Sequence, residues 1–226
     1  MNNKWSILIV GVILVSLLVP VSASAQSIQW TSGFQVQNLS NSEAAVVISY
    51  YNQDGTTAIP DVSDTIPAMS SKTYYPVAAP SGFNGSVVIS SNQEVVAIAN
   101  TLGDSPQYAA STESFSAGDT SVKLPLIMRN NGGYYTWFNV QNTGSTDASV
   151  EVQYVAGSSG SDYTTPAVTV KPGAAATFSQ RDLAGLGTTF VGSAVVSSTQ
   201  PVVASVMQVG ETYKNMMGYN GFIGGS

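Results

Sequence analysis

FQVQN at residues 34–38 and FNVQN at residues 138–142 are one strand written twice, 104 positions apart. The offset holds outward from them. Val46, Ile48 and Tyr50 align with Val150, Val152 and Tyr154, and Ile66 and Tyr74 align with Val170 and Phe178. After a three-residue slip the register resumes at 107: Gly85–Ser91 (GSVVISS) lies on Gly192–Ser198 (GSAVVSS), Gln93–Ala97 on Gln200–Ala204, and Phe115 on Phe222. Self-similarity at a fixed period marks a repeated structural unit. Each copy has about a hundred residues, ordinary for a domain and enough for its own core. The expected division is a leader at 1–25, one module at 26–120 and a second at 121–226, with the strand at 121–130 shared with or owned by the first.

Apolar residues alternate with a period of two. In the second copy Val150, Val152 and Tyr154 alternate with Glu151 and Gln153, the signature of a half-buried antiparallel strand. Turn residues punctuate the runs at Asn52–Gly55, Ala79–Gly82, Gly157–Gly160 and Lys171–Gly173. Residues 181–187 (RDLAGLG) suit a single helical turn. Each copy therefore offers six or seven short strands. The expectation is an all-β chain of two tandem immunoglobulin-like antiparallel β-sandwiches, with jelly-roll or barrel closure as the alternative. Gln93–Ala99 and Gln200–Val206, apolar on nearly both faces, read as central strands covered on each side.

Lys4 opens a positively charged start, and a 15-residue, mostly apolar run follows from Trp5 to Val19. Pro20 breaks that run before Ala23-Ser24-Ala25. This is the pattern of a secretory signal peptide cleaved after Ala25. A bilayer span needs about 20 apolar residues, so the mature protein is expected to be secreted with no membrane span.

The whole chain carries 13 acidic and 7 basic residues, and removing Lys4 leaves 6 basic residues against the same 13 acids. So few scattered cations make no nucleic-acid surface. There is no Cys and no His. That removes Ser-His-Asp and Cys-His catalysis, His or Cys zinc sites, haem ligation through those residues and thiol redox. No cofactor or metal is expected. Asp54, Asp61 and Asp64 share a loop region but match no EF-hand spacing, and solvated carboxylates are the reading for them. Asn38 and Asn142 hold the same place in the two copies, each closing a strand before a loop, which reads as turn chemistry.

Ser121–Asn130 (SVKLPLIMRN) has no counterpart before the first copy, because 104 positions before Leu124 lies Pro20 of the leader. If the strand begins the second module, the first is left with an open edge. Such an edge is ordinarily blunted, but it can also accept a strand from another subunit. The assembly candidates are Gln26, Ser27, Ile28, Gln29 and Trp30 as donor, with Leu124, Leu126 and Met128 in the shared strand. The string LPLIMRN-NGGYYTWFNVQNTG, followed by GSAVVSSTQPVVA and YNGF, resembles tandem modules of secreted and surface proteins of bacteria. The resemblance implies an extracellular β-sandwich repeat protein and carries over no catalytic or ligand residues.

Positions matched in both copies belong to the fold, while unmatched exposed ones are candidates for function. In YYTWFNV, Phe138 and Val140 match Phe34 and Val36, so Tyr135, Trp137 and Asn139 lie on the opposite face, where the first copy has Thr31, Gly33 and Gln35. An exposed Tyr–Trp pair could stack on a sugar ring. Packing against the other module or a loop is the competing reading, and burial is the commoner fate of Trp. Tyr51, opposite Val155, is a further outward aromatic. The acids form no catalytic constellation. The expectation is a non-enzymatic structural or adhesive cell-surface protein, in its sharper form a self-assembling filament or sheath subunit. Its partners would be copies of itself or other surface proteins. The alternatives are a carbohydrate-binding module or an accessory domain of a surface enzyme, using Tyr135 and Trp137.

Overall fold

The computed structural model describes residues 6–8, 28–103 and 108–224. The chain is almost wholly β-structure in antiparallel sheets, and the only helical element among the described residues is a 3-10 turn, Ala184–Leu186, inside the RDLAGLG segment. No helix there is long and apolar enough to cross a membrane.

The first copy is built from β1 (Ser6–Leu8), β2 (Thr31–Asn38), β3 (Ala44–Asn52), β4 (Val62–Ile66), β5 (Ser71–Tyr74), β6 (Gly85–Ser91), β7 (Val95–Leu102) and β8 (Ala109–Glu113). They make two four-stranded sheets, ordered β1-β6-β3-β4 and β5-β2-β7-β8. The period-two pattern sets the faces: Val46, Ile48 and Tyr50 of β3 point inward with Phe34, Val36, Val87 and Ile89, all buried. The turn after β3 closes through Asp54, whose carboxylate accepts the Thr56 N–H at 2.9 Å, and Gly55, whose φ of 87° suits glycine.

The second copy comprises β9 (Asp119–Arg129), β10 (Tyr134–Asn142), β11 (Ala148–Ser159), β12 (Tyr163–Thr164), β13 (Val168–Val170), β14 (Ala175–Ser179), β15 (Phe190–Gly210), β16 (Asn215–Asn220) and β17 (Phe222–Ile223). Here β15 does the work of both β6 and β7. Its first part pairs with β9 and β11, and its second with β10 and β16. The order β9-β15-β11-β13 thus repeats β1-β6-β3-β4, and β14-β10-β15-β16 repeats β5-β2-β7-β8. A separate core of Phe138, Tyr154, Phe190, Val196 and their neighbours lies between these layers. Each such side chain contributes roughly 1.5–3 kcal/mol on burial.

Two matched features explain why the repeat is visible at all. A Cβ on Gly85 would lie 2.0 Å from the Tyr51 carbonyl oxygen, and one on Gly192 would lie 2.1 Å from that of Val155, so only glycine fits either place. Asn38 and Asn142 are fully buried. Asn38 donates to the carbonyls of Ser42, Ile66 and Pro67, and Asn142 to those of Thr146 and Val170, while each accepts a backbone N–H two residues on. They are buried tethers for a turn as well as residues within it.

The strand at 121–130 lies in the second copy. Val122, Leu124 and Ile127 of β9 enter its core, and the ladder runs along β15 from Ser121↔Ser197 to Arg129↔Phe190. Leu126 and Met128 are half-buried, and both backbone groups of Leu126 meet the Tyr219 hydroxyl. Leu124, Leu126 and Met128 are therefore committed within the second copy, which is the branch of the shared-strand expectation that leaves the first copy without this strand, and they are not available to assembly. In the first copy the matching slot is held by β1: Leu8 pairs with Ile89, where Val122 pairs with Val196. The start of β6 instead abuts the second copy, the Ser86 hydroxyl donating to the Gly173 carbonyl at 2.5 Å.

Candidate functional site

Trp137 is 6% exposed, which corrects the expectation of an exposed Tyr–Trp pair. Its face was read correctly, but that face is covered. Trp137 joins Tyr108, Ala110, Ala175, Met207, Val209 and Met216 in a third apolar cluster formed between the copies. Trp30 meets it edge-on, with ring centroids 6.4 Å apart, and Ile28 packs beside it. Ile28 and Trp30 are therefore packed within the chain, which removes them as a free donor strand, and Gln29 also has an interaction partner. Gln26, Ser27 and the cleavage position at Ala25 lie outside the described residues. Tyr51 is half-buried at the same junction, its ring against Gly173.

Covering one face leaves its counterpart open. In the second copy the outer face of the β14-β10-β15-β16 layer is sealed: Asn139, Gln141 and Val203 are fully buried and Ser205 is 1% exposed. At the matching positions of the first copy Gln35 and Gln37 are exposed, and Val96 and Ile98 are 42% and 41% exposed. Here β7 is central, as expected, but only one of its faces is covered, while the second part of β15 is buried throughout. The open face holds a concavity of about 420 Å³ lined by Gln35, Gln37, Val96, Ile98 and Glu113.

A second concavity, about 290 Å³, lies at one end of the second copy between Arg129, Tyr134, Tyr135, Arg181 and Glu211. Local structure builds it. Arg129 ends β9, and the tight turn Asn131–Tyr134, with Gly132 and Gly133 at positive φ, brings the two tyrosines in from β10. Gln180 is held by the Tyr154 hydroxyl at 3.0 Å and by Thr136 at 2.8 Å, which fixes the start of the Arg181 segment. Arg129 Nε donates to the Arg181 carbonyl at 3.0 Å. The Arg181 guanidinium lies 4.0 Å over the Tyr135 ring and pairs with Glu211. Burial pushes the Tyr135 phenol up to about 12, against the lowering influence of Arg181. Tyr134 stacks on Tyr213, with centroids 5.4 Å apart.

Asp54 and Asp64 are engaged locally, Asp54 in its turn and Asp64 from β4. Asp64 accepts from Lys72 at 2.6 Å and from the Tyr74 hydroxyl at 3.1 Å, and Lys72 chiefly holds its carboxyl below the usual range. No group of three His, Cys, Asp or Glu side chains is placed to hold a metal among the described residues.

No family model matches the chain, and no curated protein matches it. The crystal structure of Thermotoga maritima 1070 is similar over 48% of this chain and 98% of its own, at 20% identity and a TM-score of 0.41, a likeness too loose to carry an argument.

Proposed function

We propose that this protein is a secreted, non-enzymatic structural or adhesive component of a bacterial cell surface. Its two tandem immunoglobulin-like β-sandwich modules follow a cleaved leader, and the protein associates with copies of itself through the first module. The observation that carries this reading is the pair of outer faces: one sealed around Asn139, Val203 and Ser205, its repeat equivalent bare at Gln35, Val96 and Ile98. The first copy packs against the outer layer of the second, and apolar side chains left bare at the matching place suit a second such neighbour. Cleavage after Ala25 would also remove Ser6–Leu8 and free the β6 edge at Ile89–Ser91.

Light scattering on size-separated protein across a concentration series tests the reading. The mass is expected to rise with concentration, and Ile98→Asp is expected to return it to that of the monomer. A constant monomer mass at every concentration would overturn self-association. The carbohydrate reading through Tyr135 and Trp137 loses its stacking platform with Trp137 buried.

A further inference from the structure

The junction between the copies has two sides, and the repeat gives each side an unused twin. The first copy contributes one end of its sandwich, where Trp30, Tyr51, Ser86 and Ala110 meet the outer layer of the second copy or the turn leading into it. At the 104 and 107 offsets the same end of the second copy carries Tyr134, Val155, Ser193 and Met217. The strand ladders agree with that match. Tyr51 pairs with Ser86 and Val155 with Ser193, while Ala110 pairs with Thr101 and Met217 with Gln208. Ala110 is buried in the junction, whereas Met217 is 50% exposed and Val155 is exposed as well.

The other side is reproduced on the open face of the first copy. Gly173 enters β14 at a φ of 77°, and its twin Met69 enters β5 at 56°, so the same left-handed turn is kept although the residue is not glycine. In the junction the Gly173 carbonyl accepts the Ser86 hydroxyl, and the second copy has Ser193 at the place of that donor. The acceptor is backbone, so a change from Gly to Met leaves it available. Side-chain sizes exchange in step. The Tyr51 ring lies over Gly173, and their twins are Val155 and Met69, the smaller partner now on the end and the larger on the face. Likewise the Trp30–Trp137 contact has Tyr134 and Gly33 as its twins, and the exposed Tyr75 ring occupies the space beside Gly33. Exchanges that conserve volume across a contact keep it packed.

We propose that copies of this chain join end to face. The end of the second module, with Tyr134, Val155 and Met217, docks on the next copy's first module at Met69, Val96 and Ile98, repeating between chains the junction found within one. This rests on the self-association proposed above and names its second surface. The two surfaces differ, so each contact leaves one of each kind free, and copies add in one direction instead of closing as a face-to-face dimer. Ile98→Asp on the face and Val155→Asp on the end test it by light scattering. Each variant alone is expected to stay monomeric. An equimolar mixture is expected to reach twice the monomer mass and stop there, because each variant retains the surface the other has lost. The chain has no cysteine, so a short bifunctional thiol reagent gives an independent reading: Met69→Cys mixed with Val155→Cys should yield a crosslinked dimer that neither yields alone. A constant monomer mass for the unaltered protein would overturn self-association and this contact with it. A mass that rises while the two cysteine variants fail to crosslink, or while Val155→Asp assembles like the unaltered protein, would overturn the end-to-face contact alone.

Discussion

The ring of Tyr51 fills the space that a side chain at position 173 would need: a Cβ on Gly173 would come within 2.9–3.1 Å of three ring atoms. Tyr51 belongs to the first copy and Gly173 to the second, so the contact helps set how the copies meet. Gly173 also has a φ of 77°. Gly173→Ala is expected to cost about 1–2 kcal/mol in backbone strain alone, with more from the displaced ring. In a chain this size each kcal/mol lowers Tm by roughly 2–4 °C. Thermal unfolding followed by circular dichroism measures it, and an unchanged midpoint would show that the ring moves freely aside.

Trp137 is a packing residue, and its substitution should read out as stability. Trp137→Ala is expected to cost about 3–5 kcal/mol, while Trp137→Phe retains most of the contact with Trp30 and Met207. Denaturant titration of both variants checks this. Hydrogen exchange should show β8 losing protection first in the alanine variant, since Tyr108 and Ala110 share its cluster.

Asn38 and Asn142 should behave as a matched pair. Replacing either with alanine strands buried loop carbonyls and is expected to cost about 1–3 kcal/mol. Asn→Asp at either site should be worse, because a carboxylate has no N–H to give and faces carbonyl oxygens instead. Denaturation midpoints of the four single variants decide it, and a neutral Asn142→Asp would contradict the tether role.

Alkaline pH should unfold the protein through its tyrosines. Burial raises the phenols of Tyr135 and Tyr219 to about 12, and it raises those of Tyr74 and Tyr154 as well. A free phenol titrates near about 10. The stability tied to these neutral phenols is therefore complete below the free value and is lost as the pH climbs through the folded one. Tyrosinate absorbance should lag behind free tyrosine, then rise together with loss of far-ultraviolet dichroism.

How much of this was legible in the sequence follows from what a repeat can encode. Alternation assigned Phe138 and Val140 to one face and Trp137 to the other, because side-chain direction is a local property of a strand. Whether that other face is wet depends on where the other copy docks, which no spacing records. So Val96 and Val203, equal in sequence, ended one exposed and one buried. The fusion of two strands into β15 was not legible, because residues 199–201 keep strand geometry across the gap between the pairing that ends at Ser198 and the one that begins at Val202. The arginine cleft was missed although it left a signal, since Arg129 and Arg181 are the chain's only arginines and both are unmatched.

The long strand β15 has a mechanical meaning. It runs from Phe190 to Gly210 without leaving strand geometry and is bonded to one layer at its start and to the other at its end. A load along it crosses between layers through peptide bonds, so pulling those layers apart means bending the backbone or stripping two ladders together. In the first copy the chain leaves strand geometry at residues 92–94, and its layers are joined there by a turn. Under tension the first repeat is the one built to yield, and the second is the girder.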